Sequence, residues 1–168
     1  MLLKTDPDVK QKLWDAIESK RDVTVDFLKE LVQAPSITGS EGRCAQVCYE
    51  KIKQIGLEAD MWEIDVDEIR KHPAYNDVIR FPPSDFPLTY AGRPNVVGAY
   101  HSRGHGRSII LNGHMDVVTP EPLSKWTHDP WCAQVEGNKL YGRGALDMKG
   151  GIAAMIVAVQ TILERGLK

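Results

Sequence analysis

The stretch from Leu111 to Gly151 constrains this chain more than any other. It holds Leu111-Asn112-Gly113-His114-Met115-Asp116-Val117-Val118 and, after a loop, Leu140-Tyr141-Gly142-Arg143-Gly144-Ala145-Leu146-Asp147-Met148-Lys149-Gly150-Gly151. Ser108-Ile109-Ile110-Leu111 before it reads as a buried strand, and Ile152 to Val159 after it reads as a buried helix that is apolar all round. The polar residues therefore fall at the ends of buried elements. In an open α/β sheet, loops at the carboxyl ends of strands are where ligands bind. The expected class is α/β, a mixed twisted sheet flanked by helices, with His114, Asp116 and Asp147 as candidate site residues.

If the backbone stays extended through Met115, His114 and Asp116 project to the same face, so one can steady the other. A metal-binding histidine usually donates its second ring N–H to a carboxylate or carbonyl. The plainer alternative is a strand-end histidine satisfied by its neighbour. Gly142 and Gly144 permit close backbone approach just before Asp147, and Gly150-Gly151 open the apolar helix at a cost of roughly 1 kcal/mol each relative to alanine. A dinucleotide fingerprint fails, because the third glycine position is Asp147. A phosphate loop fails for want of Lys-Ser or Lys-Thr after a glycine run, and no Gly-x-Ser-x-Gly elbow occurs. Carboxylate chemistry remains.

Asn112 to Val118, Trp126, Asp129-Pro130-Trp131 and Tyr141 to Gly151 together closely resemble the zinc metallopeptidase family of acetylornithine deacetylase, succinyl-diaminopimelate desuccinylase and the aminoacylases. The resemblance covers roughly Val23 to Lys168, the amino-terminal part of that family's catalytic domain. It implies a pair of zinc ions that activates water to hydrolyse an amide bond in N-acyl amino acids or dipeptide-like substrates. By resemblance His114 ligates one zinc, Asp116 orients His114, Asp147 bridges both metals, and a cis peptide follows Asp147 if the glycine-rich turns alone can hold it.

The same resemblance implies a Glu-Glu pair a few tens of residues after Asp147, supplying the general base and a zinc ligand. It also implies a further carboxylate, a carboxy-terminal histidine and an inserted lid and dimerisation domain. None of these occurs in the 168 residues. Residues 1–168 are therefore expected to form only the amino-terminal part of the catalytic domain, to bind zinc weakly and to be inactive alone. A homodimer is expected only of a full-length protein. The alternative is a non-catalytic binding or interaction module that retains the fold.

With 42% hydrophobic and 26% charged residues and a formal net charge of −2, nothing marks disorder, and no basic stripe suggests nucleic acid. The uninterrupted apolar run 152–159 is far short of a bilayer span, and the start lacks the pattern of a signal peptide, so a cytoplasmic protein without membrane or nucleic-acid partners is expected. Cys44 and Cys48, at i and i+4 of a helix, read as buried packing rather than metal ligands. Cys132 stands alone.

Asp6-Pro7 signals a helix start, with helix expected to about Gln33 and an apolar stripe of Leu13, Trp14, Ile17, Val25, Leu28, Leu31 and Val32. Ser40 is expected to cap a second helix that stops at Gly56. Leu57 to Ile64 reads as an edge strand, and Asp65 to Pro94 as a proline-rich excursion with a short helix near Asp67 to Lys71. Asn95 to Tyr100 and Arg107 to Asn112 read as an antiparallel hairpin, and 133–141 as a second one around Gly137-Asn138. His72, His101, His105 and His128 read as loop residues, Trp126 and Trp131 as loop anchors, and Met148 and Met155 as core.

Overall fold

A computed structural model describes residues 6–75, 90–102 and 106–166. Helix α1 spans Pro7–Glu18, with the Asp6 carboxylate accepting the Asp8 amide at 2.9 Å and proline at the first position, as expected. The single helix expected to Gln33 is instead two. Its break lies at Ser19-Lys20, where the Ser19 hydroxyl donates to the Ala16 carbonyl (2.7 Å) and Lys20 N–H reaches back only to Ile17. A serine hydroxyl competing for a main-chain carbonyl is a recognised way to disturb a helix. Helix α2, Arg21–Val32, buries Phe27, Leu31 and Val32, whereas α1 buries only Ala16 and leaves Trp14 57% exposed.

Helix α3, Gly42–Gln54, buries Cys44, Ala45, Cys48 and Ile52. Ser40 does not cap it. Glu41 holds the cap position, and its carboxylate is engaged by Gly39 N–H (2.9 Å) and by the Arg93 guanidinium (2.9 and 3.0 Å). Gly56 follows at φ +84°, the left-handed stop that was expected. Strands β1 (Glu58–Trp62) and β2 (Asn95–Ala99) pair antiparallel, with Met61 opposite Val96. A Cβ on Gly98 would come within 2.7 Å of the Ile52 side chain, so α3 lies directly on this sheet. A short helix α4, Val66–Ile69, is capped by Asp65. Pro82, Pro83 and Pro87 of the excursion lie outside the described residues, as do Arg103, Gly104 and His105 of the turn expected after β2.

The expected strand at Arg107–Asn112 does not form. β2 pairs with β1 instead, and 106–112 has no ladder partner among the described residues. Ile109 and Ile110 are 80% and 89% exposed, so the run is not buried either. An apolar run becomes a strand only where a neighbour takes its N–H and C=O groups, and composition does not supply that neighbour. Strands β3 (Gln134–Glu136) and β4 (Lys139–Tyr141) make the expected small hairpin.

Helix α5, Gly150–Glu164, packs against α1 and α2 through Ile152, Ala153, Val157 and Thr161. Its other faces are partly open, and Ile162 is exposed, so it is buried on one side rather than all round. By length and composition alone, 145–164 is enough to cross a membrane. Its buried side joins Phe27, Leu31, Ala34, Cys44 and Cys48 in the core, which is how a core helix packs. The class is α/β, with helices laid against small sheets. The thiols of Cys44 and Cys48 are packing groups, as expected.

Candidate metal centre

The His114 segment is held from outside its own sequence neighbourhood. Residues 36–38 run beside 115–117: Ile37 and Val117 form a parallel bridge, Val117 N–H donates to the Ser36 carbonyl (2.9 Å), and Thr38 N–H donates to the Val117 carbonyl (3.1 Å). The buried Ser36 hydroxyl donates to the Met115 carbonyl at 2.6 Å. Val117 is buried, which pins this side of the pair.

His114 and Asp116 meet, as the i, i+2 spacing suggests. His114 Nδ1 lies 3.1 Å from the Asp116 carbonyl and 3.2 Å from Asp116 Oδ1. The second carboxylate oxygen of Asp116 accepts the Thr38 hydroxyl at 3.0 Å. His114 Nε2 lies 3.2 Å from Asp147 Oδ1. All three candidates thus come together, with both ring nitrogens of His114 facing a carboxylate.

Asp147 reaches this position through an irregular turn over Ala145–Lys149, where Asp147 and Met148 leave helical dihedrals and their shared peptide is cis, as the resemblance implies. Gly144 has φ +77°, and a Cβ there would sit 2.3 Å from Val117 Cγ1; one on Gly142 would sit 2.4 Å from Val32 Cγ1. The glycines are needed because main chain crosses buried side chains here, the close approach that the pattern suggests. At Gly150 the close neighbour is the Ala145 carbonyl at 2.6 Å, within the same turn.

Lys149 is a residue that sequence reasoning passed over. It is fully buried, and its ammonium donates to the carbonyls of Leu31 (2.7 Å) and Ala34 (2.9 Å) at the end of α2. Burial pushes its pKa down, against the opposite pull of the Cys44 and Cys48 thiols. Cys44 is lowered to about 7, first by a hydrogen bond from Cys48 and against the cost of burial, with Lys149 and Ser36 helping; Cys48 is pushed up by the same bond. Thr38 and Ser36 were missed too, since their partners lie nearly eighty positions away. No local spacing carries such a signal.

The other described histidines stay apart. His72 Nδ1 accepts the Ala74 amide, His101 lies 3.6 Å from Glu58, and the His128 ring lies tilted against Tyr141 with centroids 4.5 Å apart. Trp126 anchors its loop, donating to the Pro120 carbonyl at 2.7 Å beneath the Arg143 guanidinium, and Trp131 lies against the Lys149 ammonium. The Met148 and Met155 methyls close over Gly113.

The donor set suits a divalent metal. Two ligand atoms on a tetrahedral zinc, each about 2.0–2.1 Å from it, stand roughly 3.3 Å apart, and His114 Nε2 and Asp147 Oδ1 stand 3.2 Å apart. A neutral imidazole has one N–H, so with carboxylates at both nitrogens one contact sets lone pair against lone pair unless a cation or proton lies between. Among the described residues, no group of three His, Cys, Asp or Glu side chains converges to hold a metal. The pair therefore supplies two donors.

The fold and this site define a segment of an α/β domain that brings a histidine and a carboxylate together. Residues 110–168 match the family model of Peptidase family M20/M25/M40. Two relatives are succinyl-diaminopimelate desuccinylases, of Methylorubrum populi (31% identical) and Methylorubrum extorquens (30% identical), each over 136 residues and 80% of this chain. The chain spans 29% of the length of either.

Proposed function

We infer that the protein carrying this segment is a metal-dependent hydrolase of an amide bond in N-acyl amino acids or dipeptide-like substrates, and that these residues are the amino-terminal part of its catalytic domain. The observation that carries this reading is the His114 ring held between two carboxylates, with Nε2 and Asp147 Oδ1 at metal-ligand separation. His114 and Asp147 would hold the ion, and zinc is the metal that a mixed imidazole and carboxylate set suits. When bound, it would supply a Lewis acid that polarises a carbonyl and lowers the pKa of water.

The chain's own residues do the rest. Asp116 accepts a hydrogen bond from Nδ1–H, which fixes the tautomer and leaves the Nε2 lone pair facing Asp147. The Thr38 hydroxyl holds the other Asp116 oxygen, so the carboxylate cannot swing away from the ring. Among the described residues only Oδ1 of Asp147 has a partner, which would leave its second oxygen for another ligand, as a bridging role requires. The family match and the two desuccinylases support an N-acyl amino acid as substrate. A small-molecule substrate, a cytoplasmic setting and a dimer of the longer protein belong to the same proposal.

The test is hydrolysis of N-succinyl and N-acetyl amino acids, with and without chelator, by a longer polypeptide that carries this segment. Activity lost in the chelated protein and in the His114→Ala and Asp147→Ala variants is the expected result. Activity retained in either variant would sink the reading and favour a module that keeps the fold without the chemistry.

A further inference from the structure

Resting on His114 and Asp147 as ligands of one metal, we propose that residues 31–38, the connector leaving α2, form a bracket that sets the distance between them, with Lys149 and Thr38 as its positioning residues. The two ligands come from segments 33 positions apart, and the contact recorded directly between their side chains is the one a metal would replace. The one other direct tie described is weak, His114 N–H to the Met148 sulfur at 3.4 Å, so a firmer hold on the spacing must come from elsewhere.

The connector touches both halves. Its first part, the carbonyls of Leu31 and Ala34, takes the Lys149 ammonium two residues after Asp147. Its second part, Ser36 to Thr38, is zipped to 115–117 by two main-chain hydrogen bonds and the Ser36 hydroxyl, and Thr38 grips the carboxylate that orients His114. Pro35, with its fixed φ, lies between the two grips. A fully buried ammonium with no carboxylate beside it among the described residues is a costly way to fill a core, and an apolar side chain of that length would pack there without the charge. The Leu31 carbonyl also takes the Ala34 N–H at 3.3 Å, so Lys149 adds a charged donor to the last turn of α2 and a second one to the Ala34 carbonyl just beyond it. Lys149 thus ties the Asp147 turn to the same eight residues that carry His114.

The experiment uses the whole 168-residue chain, metal-free, as wild type, Lys149→Met, Thr38→Val and Thr161→Val. Thr161 is a buried α5 residue whose hydroxyl bonds within its own helix, so it controls for a general loss of stability. Thr38 is exposed, so its variant tests the bracket even if Lys149→Met fails to fold. Amide hydrogen exchange is read at residue 149, which donates to Gly144, and at Val117 and Thr38. Lys149→Met is expected to speed exchange at all three sites by about tenfold or more relative to Thr161→Val, since hydrogen bonds to a charged donor are lost. Uniform acceleration across the chain, or none at 117 and 38, overturns the bracket.

Zinc alone, titrated into the same proteins, gives the second readout. Thr38→Val and Lys149→Met should weaken zinc binding by about 10- to 100-fold, the range for partners that orient a ligand, with Thr161→Val unchanged. Wild-type affinity in both variants overturns the proposal. If wild type binds no zinc, the ligand assignment fails instead, and the exchange data still decide whether 31–38 couples the two segments.

Discussion

Replacing Gly144 by alanine should separate two roles that glycine has here. At φ +77° an alanine pays roughly 1 kcal/mol for the left-handed conformation. Its Cβ would also stand 2.3 Å from Val117 Cγ1, far inside contact distance, with both atoms on main chain or on a stiff β-branched side chain. Forcing such overlap in a packed core costs about 1–3 kcal/mol, so the total is about 2–4 kcal/mol. For a chain of this size that lowers Tm by roughly 5–15 °C. Gly137 provides the comparison, with φ +59° and open space around a built Cβ. Gly137→Ala should therefore cost only about 1 kcal/mol. Thermal and urea unfolding by circular dichroism read both. Adding Val117→Ala to Gly144→Ala removes the overlapping methyl, so the double variant should be more stable than the sum of the singles by about 1–2 kcal/mol. Equal costs at 144 and 137, or strict additivity with Val117, would refute the steric account of this turn. Because Val117 follows Asp116, the clash should also displace the His114 side of the site.

Thiol labelling of the native protein should modify Cys132 first, since Cys44 and Cys48 are buried, and urea should release all three; two fast-reacting thiols in native protein would contradict the packing described. Cys44 is lowered to about 7 yet should stay slow, because access rather than ionisation limits it. The Lys20–Glu164 pair (2.7 Å) should help dock α5 on the amino-terminal helices. The Glu164 carboxyl is held below its ordinary 4.5, first by the Lys20 hydrogen bond. Its contribution is thus present above that value and disappears as pH falls through the lowered one. The stability difference between wild type and Lys20→Met should shrink along that path, and at about 1 M salt, where the screening length is about 3 Å. A difference unchanged by pH and salt would show that the lysine stem, not its charge, matters.

Much of the site was legible because it is written locally. His114-x-Asp116 needs only an extended backbone to bring ring and carboxylate together, and Gly142-x-Gly144 before Asp147 signals a tight crossing. The cap at Asp6-Pro7, the stop at Gly56 and the hairpin at Gly137-Asn138 are equally local. What escaped was set by distant partners. Arg107–Asn112 has the composition of a strand, but β2 pairs with β1 and leaves it unmatched. The α1–α2 break lies at one serine hydroxyl, and Glu41, at the cap position expected for Ser40, has its carboxylate held by Arg93 from fifty-two positions away. Lys149 carried no local signal, because its burial depends on two carbonyls over a hundred positions earlier.

The central claim is that His114 and Asp147 share one metal. Equilibrium dialysis of the 168-residue chain against zinc, with metal and protein quantified, tests it directly in wild type, His114→Ala, Asp147→Ala and a His101→Ala control. Zinc sites need at least three protein ligands for firm retention, and two are present, so wild type should take up at most one zinc, weakly. Either site variant should abolish that uptake, and His101→Ala should leave it unchanged. Uptake unaffected by His114→Ala and Asp147→Ala, or firm retention of two zinc ions per chain, would contradict the assignment.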